Sequence, residues 1–298
     1  MVANTTMSIE KAFDHNSFRG EILRPDFLRS VVEAGNLALN VRQEGLTSEV
    51  KSTKEDIVTR GDLAVSSMLR ERLSQLFPGI VFIDEEVPES DSLDITAHAM
   101  VAIIDPIDGT TNYYNKGEKD SSEAPANPNW AVSVGITREV KLHAGVIYQP
   151  MLQKLFYAER GRGAYMNGKR LHVSTTQSLS DARLIYDYPY PKDKKEYELT
   201  GRVLAALEPQ ITSAERLGSA VVETMEVAEG KSDFFMLLRT QPWDVAAAAV
   251  IVEEAGGTAF NATGEPFKIG NRSIVLTNGK IEIAPLIHLI YQKLGSDS

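Results

Sequence analysis

The chain has 298 residues, 43% of them hydrophobic, which suffices for one large domain or two of ordinary size with an extensive core. Its 31 basic and 41 acidic residues give a net charge of −10, which argues against a general attraction to nucleic acid or to anionic membranes. The absence of cysteine excludes disulfides, thiolate nucleophiles and cysteine-ligated metal centres.

Residues 1–20 are polar, mixed in charge and without periodicity, so they predict a loose arm and lack the apolar core of a secretion signal. The sequence contains no run of 18 apolar residues, so neither a membrane span nor a membrane partner is expected. These features favour a cytoplasmic protein.

Two amphipathic helices are predicted in the first eighty residues. The first opens at Pro25 and Asp26, and its inward residues recur at helical spacing: Leu28, Val31, Val32 and Leu39. The second is predicted to be capped by Asp62 and to end at Pro78 and Gly79. Its inward residues are Val65, Met68, Leu69, Leu73 and Leu76.

Two buried strands are then predicted to end in carboxylates. The apolar run 80–83 leads into the pair Glu85 and Glu86, and the apolar run 101–104 leads into a second pair of acids. A further acid, Asp244, stands at a predicted helix start. Taken singly, the glutamate pair is typical of a solvated loop and Asp244 of a helix cap.

The second acidic pair lies in the segment Asp-Pro-Ile-Asp-Gly-Thr-Thr-Asn at residues 105–112. Asp105 and Asp108 offer the hard oxygen ligands that Mg²⁺ prefers. Pro106 and Gly109 are predicted to stop the strand and turn the chain, and amides from Gly109 onward would face an anion if a helix starts there. The pattern predicts a metal and an anion in one turn; a capped Asx-type turn is the alternative.

Short alternating segments from 130 to 173 predict an antiparallel meander, with turns at Arg138–Glu139 and Asn167–Gly168. The rest alternates helices with strands, which favours a boundary between regions 1–185 and 186–298. Helices are predicted over 193–207, 219–229, 244–255 and 282–294, and strands near residues 184, 234, 258 and 274.

These motifs together resemble the signature of the inositol monophosphatase family, the lithium-sensitive, magnesium-dependent phosphatases. The segment 105–112, the pair Glu85 and Glu86, and Trp-Asp-Val-Ala-Ala at 243–247 carry the resemblance. The resemblance also includes Lys51 with Asp56 and Thr59, the Asp62 position, and the segments 145–148, 161–168, 218–220 and 254–257. The resemblance implies an α+β fold, a layered α-β-α-β-α sandwich of the inositol monophosphatase/fructose-1,6-bisphosphatase type, and a homodimer.

The resemblance also implies two or three Mg²⁺ ions per subunit. Glu85, Asp105 and the carbonyl of Ile107 would hold the first ion, and Asp105, Asp108 and Asp244 the second. A further, weaker ion would share Glu85. Paired divalent ions lower the pKa of water and neutralise phosphate oxygens during an in-line displacement, so no protein nucleophile is required.

By the same resemblance, Thr110 paired with Asp62 would help Glu85 and the metals to activate the attacking water. The amides of Gly109, Thr110 and Thr111 would bind the phosphate.

The resemblance also implies roles for three residues that do not bind metal directly. Glu86 and Lys51 would support the metal ligands from behind. Arg216 would lie near the substrate or the dimer interface.

The substrate is not defined by these motifs, because family members divide among inositol phosphates, fructose 1,6-bisphosphate, histidinol phosphate and 3'-phosphonucleotides. The glutamate that commonly contacts inositol hydroxyls, seven residues before Asp244, is here Leu237, which cannot accept a hydrogen bond. Arg239 or Gln241 could contact a second anionic group, or merely cover the surface. The polar segment 113–129 is predicted to be a long loop beside the site, functional or mobile.

We therefore predict a Mg²⁺-dependent phosphomonoesterase that hydrolyses a small polyol or sugar phosphate by metal-activated water. One alternative is an enzyme for bisphosphates, either a fructose 1,6-bisphosphatase or a 3'(2'),5'-bisphosphate nucleotidase. Another is a non-catalytic, dimeric protein that binds metal and phosphate esters. A nucleic-acid partner is not expected at this net charge.

Overall fold

The computed structural model describes residues 20–44, 48–50, 57–88, 94–114, 126–189, 194–282 and 284–295, without the side chains of 48–50, 57 and 291–295. The helices are α1 Pro25–Glu44, α2 Arg60–Leu76, α3 Thr110–Tyr114, α4 Lys194–Leu207, α5 Ala220–Ala228, α6 Pro242–Glu254 and α7 Ala284–Gly295. The strands are β1 Ser48–Val50, β2 Ile57–Thr59, β3 Val81–Asp84, β4 Met100–Asp108, β5 Ala131–Arg138, β6 Lys141–Gln149, β7 Lys154–Glu159, β8 Ala164–Met166, β9 Lys169–Arg170, β10 Arg183–Tyr186, β11 Ser213–Glu215, β12 Phe234–Leu237, β13 Thr258–Phe260 and β14 Ile274–Thr277.

The strands form two large sheets and one small antiparallel pair, β1 with β2. The first large sheet has the order β3-β4-β5-β6-β7-β8-β9, parallel between β3 and β4 and antiparallel from there on. The second has the order β11-β10-β12-β14-β13, in which β10 runs parallel to both of its neighbours. The predicted antiparallel meander is confirmed as β5 to β9.

Three apolar clusters show how these elements are layered. Helices α1 and α2 cover the outer face of the seven-stranded sheet. Helices α5 and α6 lie between the two sheets, and α4 and α7 cover the outer face of the five-stranded sheet. Both faces of the central strands are therefore buried, as in β12, whose four consecutive residues are all buried. The predicted layered α-β-α-β-α sandwich is confirmed.

Helix α6 approaches the seven-stranded sheet unusually closely because both surfaces carry small residues. A Cβ atom built on Gly145 of β6 would collide with the carbonyl oxygen of Ala247, and one on Gly135 of β5 would lie 2.7 Å from the Cβ of Ala246. Dense packing of this kind leaves little room to shift. The close approach fixes the start of α6, and with it Asp244, against the sheet.

Two predicted helix starts differ from the observed ones. Helix α2 begins at Arg60 with Thr59 as its N-cap, so Asp62 is the third helical residue and not the cap. Asp62 and Thr59 form a capping box, in which the Asp62 carboxylate accepts the Thr59 backbone N–H at 2.8 Å. Asp244 is likewise the third residue of α6 and bonds back to Gln241. Each aspartate therefore stabilises a helix start from inside the first turn.

The β4 strand is longer than predicted, because Pro106 does not end it. The pairing of β4 with β5 shifts register between Asp105, opposite Ser133, and Asp108, opposite Ala131. Proline, which has no N–H to donate, is tolerated at such an irregularity. The chain turns only at Gly109, one residue beyond the strand.

Smaller differences concern turns and short strands. The β5–β6 turn is formed by Glu139 and Val140, both with positive φ, one residue later than predicted. The three-residue strands β1, β2 and β11 were not predicted, since segments this short carry no periodicity. The division of the chain at residue 185 stays a prediction. The chain leaves the seven-stranded sheet after β9 and enters the five-stranded sheet at β10. No helix in the described ranges is both long and apolar enough to cross a membrane.

Candidate active site

Three aspartates meet where β4 ends and α6 begins. One carboxylate oxygen each from Asp105, Asp108 and Asp244 lies within 4.8 Å of the others. In a regular strand, residues three apart point to opposite faces. The register shift within β4 removes this restriction, so Asp105 and Asp108 can approach the same point. The predicted pair and the predicted distant acid are thus brought into one group, which we call the acidic cluster.

Burial and mutual repulsion destabilise the ionised forms of the three aspartates in the acidic cluster. Burial raises the pKa of Asp105 well above its ordinary value, and the charges of Glu85, Asp108 and Asp244 raise it further. Burial likewise raises the pKa of Asp244, with the charge of Asp108 as the next cause. The pKa of Asp108 is raised to about 7, mainly by burial, although a hydrogen bond from Ser219 opposes the shift. A positive charge between these carboxylates would stabilise their ionised forms.

The donor set fits a hard divalent cation. Asp105 is 1% exposed, and its Oδ1 atom has no hydrogen-bond partner among the residues that the structure describes. A buried carboxylate oxygen without a partner is rare in folded proteins, and a bound cation would supply the partner that it lacks. The cluster can therefore hold a metal ion.

Backbone and side-chain donors orient the two other aspartates. The Ser219 hydroxyl donates to Asp108 Oδ2, and the Val221 N–H donates to the same oxygen at 2.9 Å. The Gln241 N–H donates to Asp244 Oδ2 at 2.8 Å. In each case one oxygen is held at a helix start, which leaves the other oxygen to face the cluster.

A threonine and a fourth aspartate lie beside the acidic cluster. The Thr110 hydroxyl lies 3.0 Å from the carbonyl oxygen of Ile107 and 3.4 Å from Asp62 Oδ1. Because a hydroxyl has one proton, the shorter contact to Ile107 is the stronger bond here. Asp62 Oδ2 is occupied by the backbone and hydroxyl of Thr59, so Oδ1 is the oxygen that faces Thr110.

The turn after β4 is packed against two other loops. Gly109 has φ of +82°, and a Cβ there would lie 2.8 Å from the carbonyl oxygen of Asn129. The Asn112 side-chain amide donates to the carbonyl oxygens of Asn129, Leu217 and Gly218 at 2.7, 2.9 and 3.1 Å. Asn112 therefore fixes the turn relative to the loop that leads into α5.

The predicted loop 113–129 is partly corrected. Tyr113 and Tyr114 are the last residues of α3, and Tyr113 is buried, with its hydroxyl bonded to the carbonyl oxygen of Ala38 at 2.7 Å. Residues 126–129 lead into β5, and the Asn127 amide donates to Asn112 at 2.8 Å. The prediction for residues 115–125 lies outside the described part of the chain.

The remaining predicted site residues take different places. Glu85 is close enough for its charge to raise the pKa of Asp105, although the three-residue cluster does not include it. Glu86 lines a cleft of about 430 Å³ beside α2, together with Arg70 and Phe82. Lys51 lies outside the described residues. The roles predicted for these residues stay predictions.

The candidates near the substrate differ in environment. Arg216 is 45% exposed and paired with Asp187. Arg239 lies 3.6 Å from Glu196 in an ion pair. Leu237 is buried at the end of β12 and offers no polar atom from its side chain.

Several residues around the site were not predicted for it. Ser219 and Asn112 make the contacts described above, and Glu223, 0% exposed, accepts the N–H groups of Leu217 and Gly218 at 2.6 and 2.8 Å. The sequence did carry one signal, since a serine before an apolar helical run is typical of an N-cap, and Ser219 is the N-cap of α5. Its bond to Asp108 spans 111 positions and had no signal.

The raised carboxyl pKa values predict how metal-free protein responds to pH. A group whose pKa is higher in the folded state adds stability below its unfolded pKa of about 4, and this stability is lost as pH rises through the folded value. For Asp108 the folded value is about 7. We expect the melting temperature of EDTA-treated protein to fall by several degrees between pH 4.5 and 7.5.

Excess Mg²⁺ should abolish this fall, because binding favours the ionised carboxylates. Scanning calorimetry at closely spaced pH values measures both curves. A melting temperature that rises steadily over this range without metal would show that the cluster is not under electrostatic strain.

Comparison with known proteins identifies the family of this chain. Residues 26–294 match the inositol monophosphatase family. The chain is 32% identical over 250 residues to an inositol-1-monophosphatase of Bacillus subtilis, covering 84% of this chain and 89% of that protein. It is 28% identical over 249 residues to a fructose-1,6-bisphosphatase/inositol-1-monophosphatase of Thermotoga maritima, covering 83% and 88%.

Solved structures with a similar fold belong to the same family. A solved structure of an IMPase from Thermotoga maritima is similar with a TM-score of 0.76 and 26% identity, covering 91% of this chain and 97% of that chain. The fold and its relatives define an enzyme of the phosphoric monoester hydrolase class. The chain belongs to the inositol monophosphatase family.

Proposed function

We propose that the enzyme is a Mg²⁺-dependent phosphomonoesterase that hydrolyses a small polyol or sugar phosphate by activated water. The observation that carries this proposal is the acidic cluster, with its buried and unpartnered Asp105 oxygen, next to the turn that holds Thr110. Hard oxygen donors suit Mg²⁺, and the sequence has no cysteine to act as a nucleophile.

The ligand sets that we propose are those implied by membership of the family, and the cluster of Asp105, Asp108 and Asp244 supports the second of them. Glu85, Asp105 and the carbonyl oxygen of Ile107 would hold one ion, and Asp105, Asp108 and Asp244 a second. Asp105 would be shared by both ions, in keeping with the fact that the charges of Glu85, Asp108 and Asp244 all act on it. A third, weaker ion would share Glu85. When bound, Mg²⁺ would lower the pKa of water and neutralise phosphate charge on both sides of the displacement.

The protein's own groups would position the reactants. With the Ile107 carbonyl engaged by metal, the Thr110 hydroxyl would donate to Asp62 Oδ1, so that its own oxygen can accept a proton from the attacking water. Asp62 is held in place from behind by Thr59. The backbone amides of Gly109, Thr110 and Thr111 would bind the phosphate, and Gly109 keeps the turn open at positive φ.

Other features of the proposal rest on family membership. We expect lithium to inhibit the enzyme, the chain to form a homodimer and the protein to act in the cytoplasm. Glu86 and Lys51 would support the metal ligands, and Arg216 would lie near the substrate. A nucleic-acid or membrane partner is not part of the proposal, because the net charge is −10.

A bisphosphate-directed activity is the second candidate. It is favoured by the similarity to the Thermotoga maritima protein, which carries fructose-1,6-bisphosphatase in its name. A non-catalytic role in binding metal and phosphate esters is the third candidate, and it is disfavoured because the three aspartates form one group and the Thr110 hydroxyl lies 3.4 Å from Asp62.

A phosphate-release screen separates these candidates. Inositol 1-phosphate, fructose 1,6-bisphosphate, histidinol phosphate and adenosine 3',5'-bisphosphate would be compared by kcat/KM, each with Mg²⁺, with EDTA and with added Li⁺. The proposal expects Mg²⁺-dependent release that is greatest for a polyol or sugar monophosphate. Preference for a bisphosphate would support the second candidate, and release that persists in EDTA would refute the metal mechanism.

A further inference from the structure

A charged pair stands beside the acidic cluster, at one edge of the five-stranded sheet. Asp187 directly follows β10, and its N–H donates to the carbonyl oxygen of Met236 in β12 at 3.3 Å. Arg216 directly follows β11. Because β10 runs parallel to both neighbours, the residues that follow these strands meet at the same edge. Leu237, the next residue of β12, is apolar at this edge.

Only part of each charged group is used within the protein. Arg216 Nε donates to Asp187 Oδ1 at 2.6 Å, and the Tyr188 N–H donates to the same oxygen at 2.7 Å. Within the described ranges, neither Asp187 Oδ2 nor the terminal nitrogens of Arg216 make a further hydrogen bond. The Arg216 side chain is 45% exposed and that of Asp187 14% exposed. An acceptor and two donor nitrogens are thus available side by side.

The pair is close to the proposed reaction centre. The loop that begins at Arg216 packs against the turn after β4, since Asn112 donates to the carbonyl oxygens of Leu217 and Gly218 at 2.9 and 3.1 Å, and a Cβ on Gly109 would lie 3.0 Å from that of Ser219. Arg216 also stands three residues before Ser219, whose hydroxyl donates to Asp108. The pair therefore stands at the start of the loop that contacts both the turn and Asp108, where the alcohol moiety of a phosphate ester bound at the acidic cluster can reach it.

The pair is also held rigidly. Glu223 accepts the backbone N–H groups of Leu217 and Gly218, the two residues that follow Arg216. Asn112 binds the carbonyl oxygens of the same two residues and so ties them to the phosphate-binding turn. Fixed polar groups of this kind discriminate between ligands better than mobile surface groups do.

The chemistry of the pair suits neutral hydroxyl groups better than a second anion. The two opposite charges largely cancel, and a second phosphate would have to approach the Asp187 carboxylate. Hydroxyl groups can donate to Asp187 Oδ2 and accept from Arg216 at the same time. The guanidinium also lies 5.5 Å from the ring centre of Tyr188, which adds a flat apolar wall beside it.

We propose that Asp187 and Arg216 together select the alcohol moiety of the substrate by hydrogen bonding to its hydroxyl groups. This assignment rests on the proposed phosphomonoesterase function and adds to it the residues that determine specificity. Neither residue takes part in the displacement itself.

The test compares two esters that differ in hydroxyl groups. Inositol 1-phosphate carries several, and 4-nitrophenyl phosphate carries none. For Asp187→Asn and Arg216→Gln, the ratio of kcat/KM for inositol 1-phosphate to that for 4-nitrophenyl phosphate should fall about tenfold or more, mainly through KM. Asp26→Asn, an exposed change on α1, serves as the control and should leave this ratio as in the wild type.

Each outcome decides the assignment. Equal losses on both esters would mean that the pair is merely structural, and an unchanged ratio would mean that it does not contact the alcohol moiety; either result overturns the assignment. A loss confined to fructose 1,6-bisphosphate in Arg216→Gln would instead assign the guanidinium to a second anion. If the wild type releases phosphate from no ester, the proposed function itself is refuted. That result differs from the two above, in which the wild type is active and only the assignment of the pair fails.

Discussion

Asp105→Asn is expected to lower kcat/KM for phosphate release by about 10³-fold or more, and at the same time to raise the melting temperature of the metal-free protein. Activity falls because Asp105 is the ligand that both proposed ions share, and several kcal/mol of charge stabilisation corresponds to this factor. Stability rises because the substitution removes a carboxylate that is 1% exposed and lies among other acids.

Phosphate-release kinetics with saturating Mg²⁺ and calorimetry in EDTA at pH 7.5 measure the two effects. Asp26→Asn is a matched control, since that carboxylate is 67% exposed and should change neither quantity appreciably. A variant that loses both activity and metal-free stability would indicate that Asp105 is a structural residue and not a metal ligand.

Thr110→Val is expected to reduce kcat by about 10²- to 10⁴-fold with little change in KM, which is the range for loss of a positioned proton-transfer group. Valine keeps the shape of the side chain but removes the hydroxyl that lies between Asp62 and the carbonyl oxygen of Ile107. Thr110→Ser restores the hydroxyl and should recover most of the activity.

A double substitution tests whether Thr110 and Asp62 act together. Asp62→Asn alone should also lower kcat, and Thr110→Val combined with Asp62→Asn should be scarcely worse than either alone. Because Asp62 also accepts from Thr59 at the start of α2, its variant should melt at a lower temperature, whereas Thr110→Val should not. Losses that multiply in the double variant would contradict a shared role.

Much of the fold could be predicted because its elements have strong local patterns. Helices α1 and α2 bury one face at helical spacing, and β5 to β9 are short strands joined by tight turns, so both regions are visible in sequence. Four strands of the five-stranded sheet, β10, β12, β13 and β14, were located as well, and its edge strand β11 was not. The order of layers came from the family resemblance, because apolar runs do not specify which sheet a strand joins.

The acidic residues of the site could be predicted for a related reason. Asp105 and Asp108 follow an apolar strand directly, where charged side chains require an explanation. Their approach to Asp244 depends on a register shift in β4 and on the small residues that let α6 pack closely on the sheet. Neither feature has a periodic signature, so the cluster could be inferred only through the resemblance.

The supporting contacts were beyond sequence reasoning because they join distant segments. Ser219 and Asp108 are 111 positions apart, and Asn112 binds carbonyl oxygens 17, 105 and 106 positions away. Asp187 and Arg216 likewise come together only because β10 and β11 are neighbours. Hydrogen bonds of this kind depend on the final topology, which local propensity does not encode.

The most direct test of the central claim is anomalous diffraction from crystals of this protein soaked in Mn²⁺, which takes similar oxygen ligands and scatters strongly enough to locate. We expect two anomalous peaks, with the Asp105 carboxylate bound to both and with Asp108 and Asp244 bound to one. Crystals of Asp105→Asn should lose at least one peak. Fully occupied Mn²⁺ at other residues, with no peak at Asp105, would contradict the assignment of this cluster as the metal site.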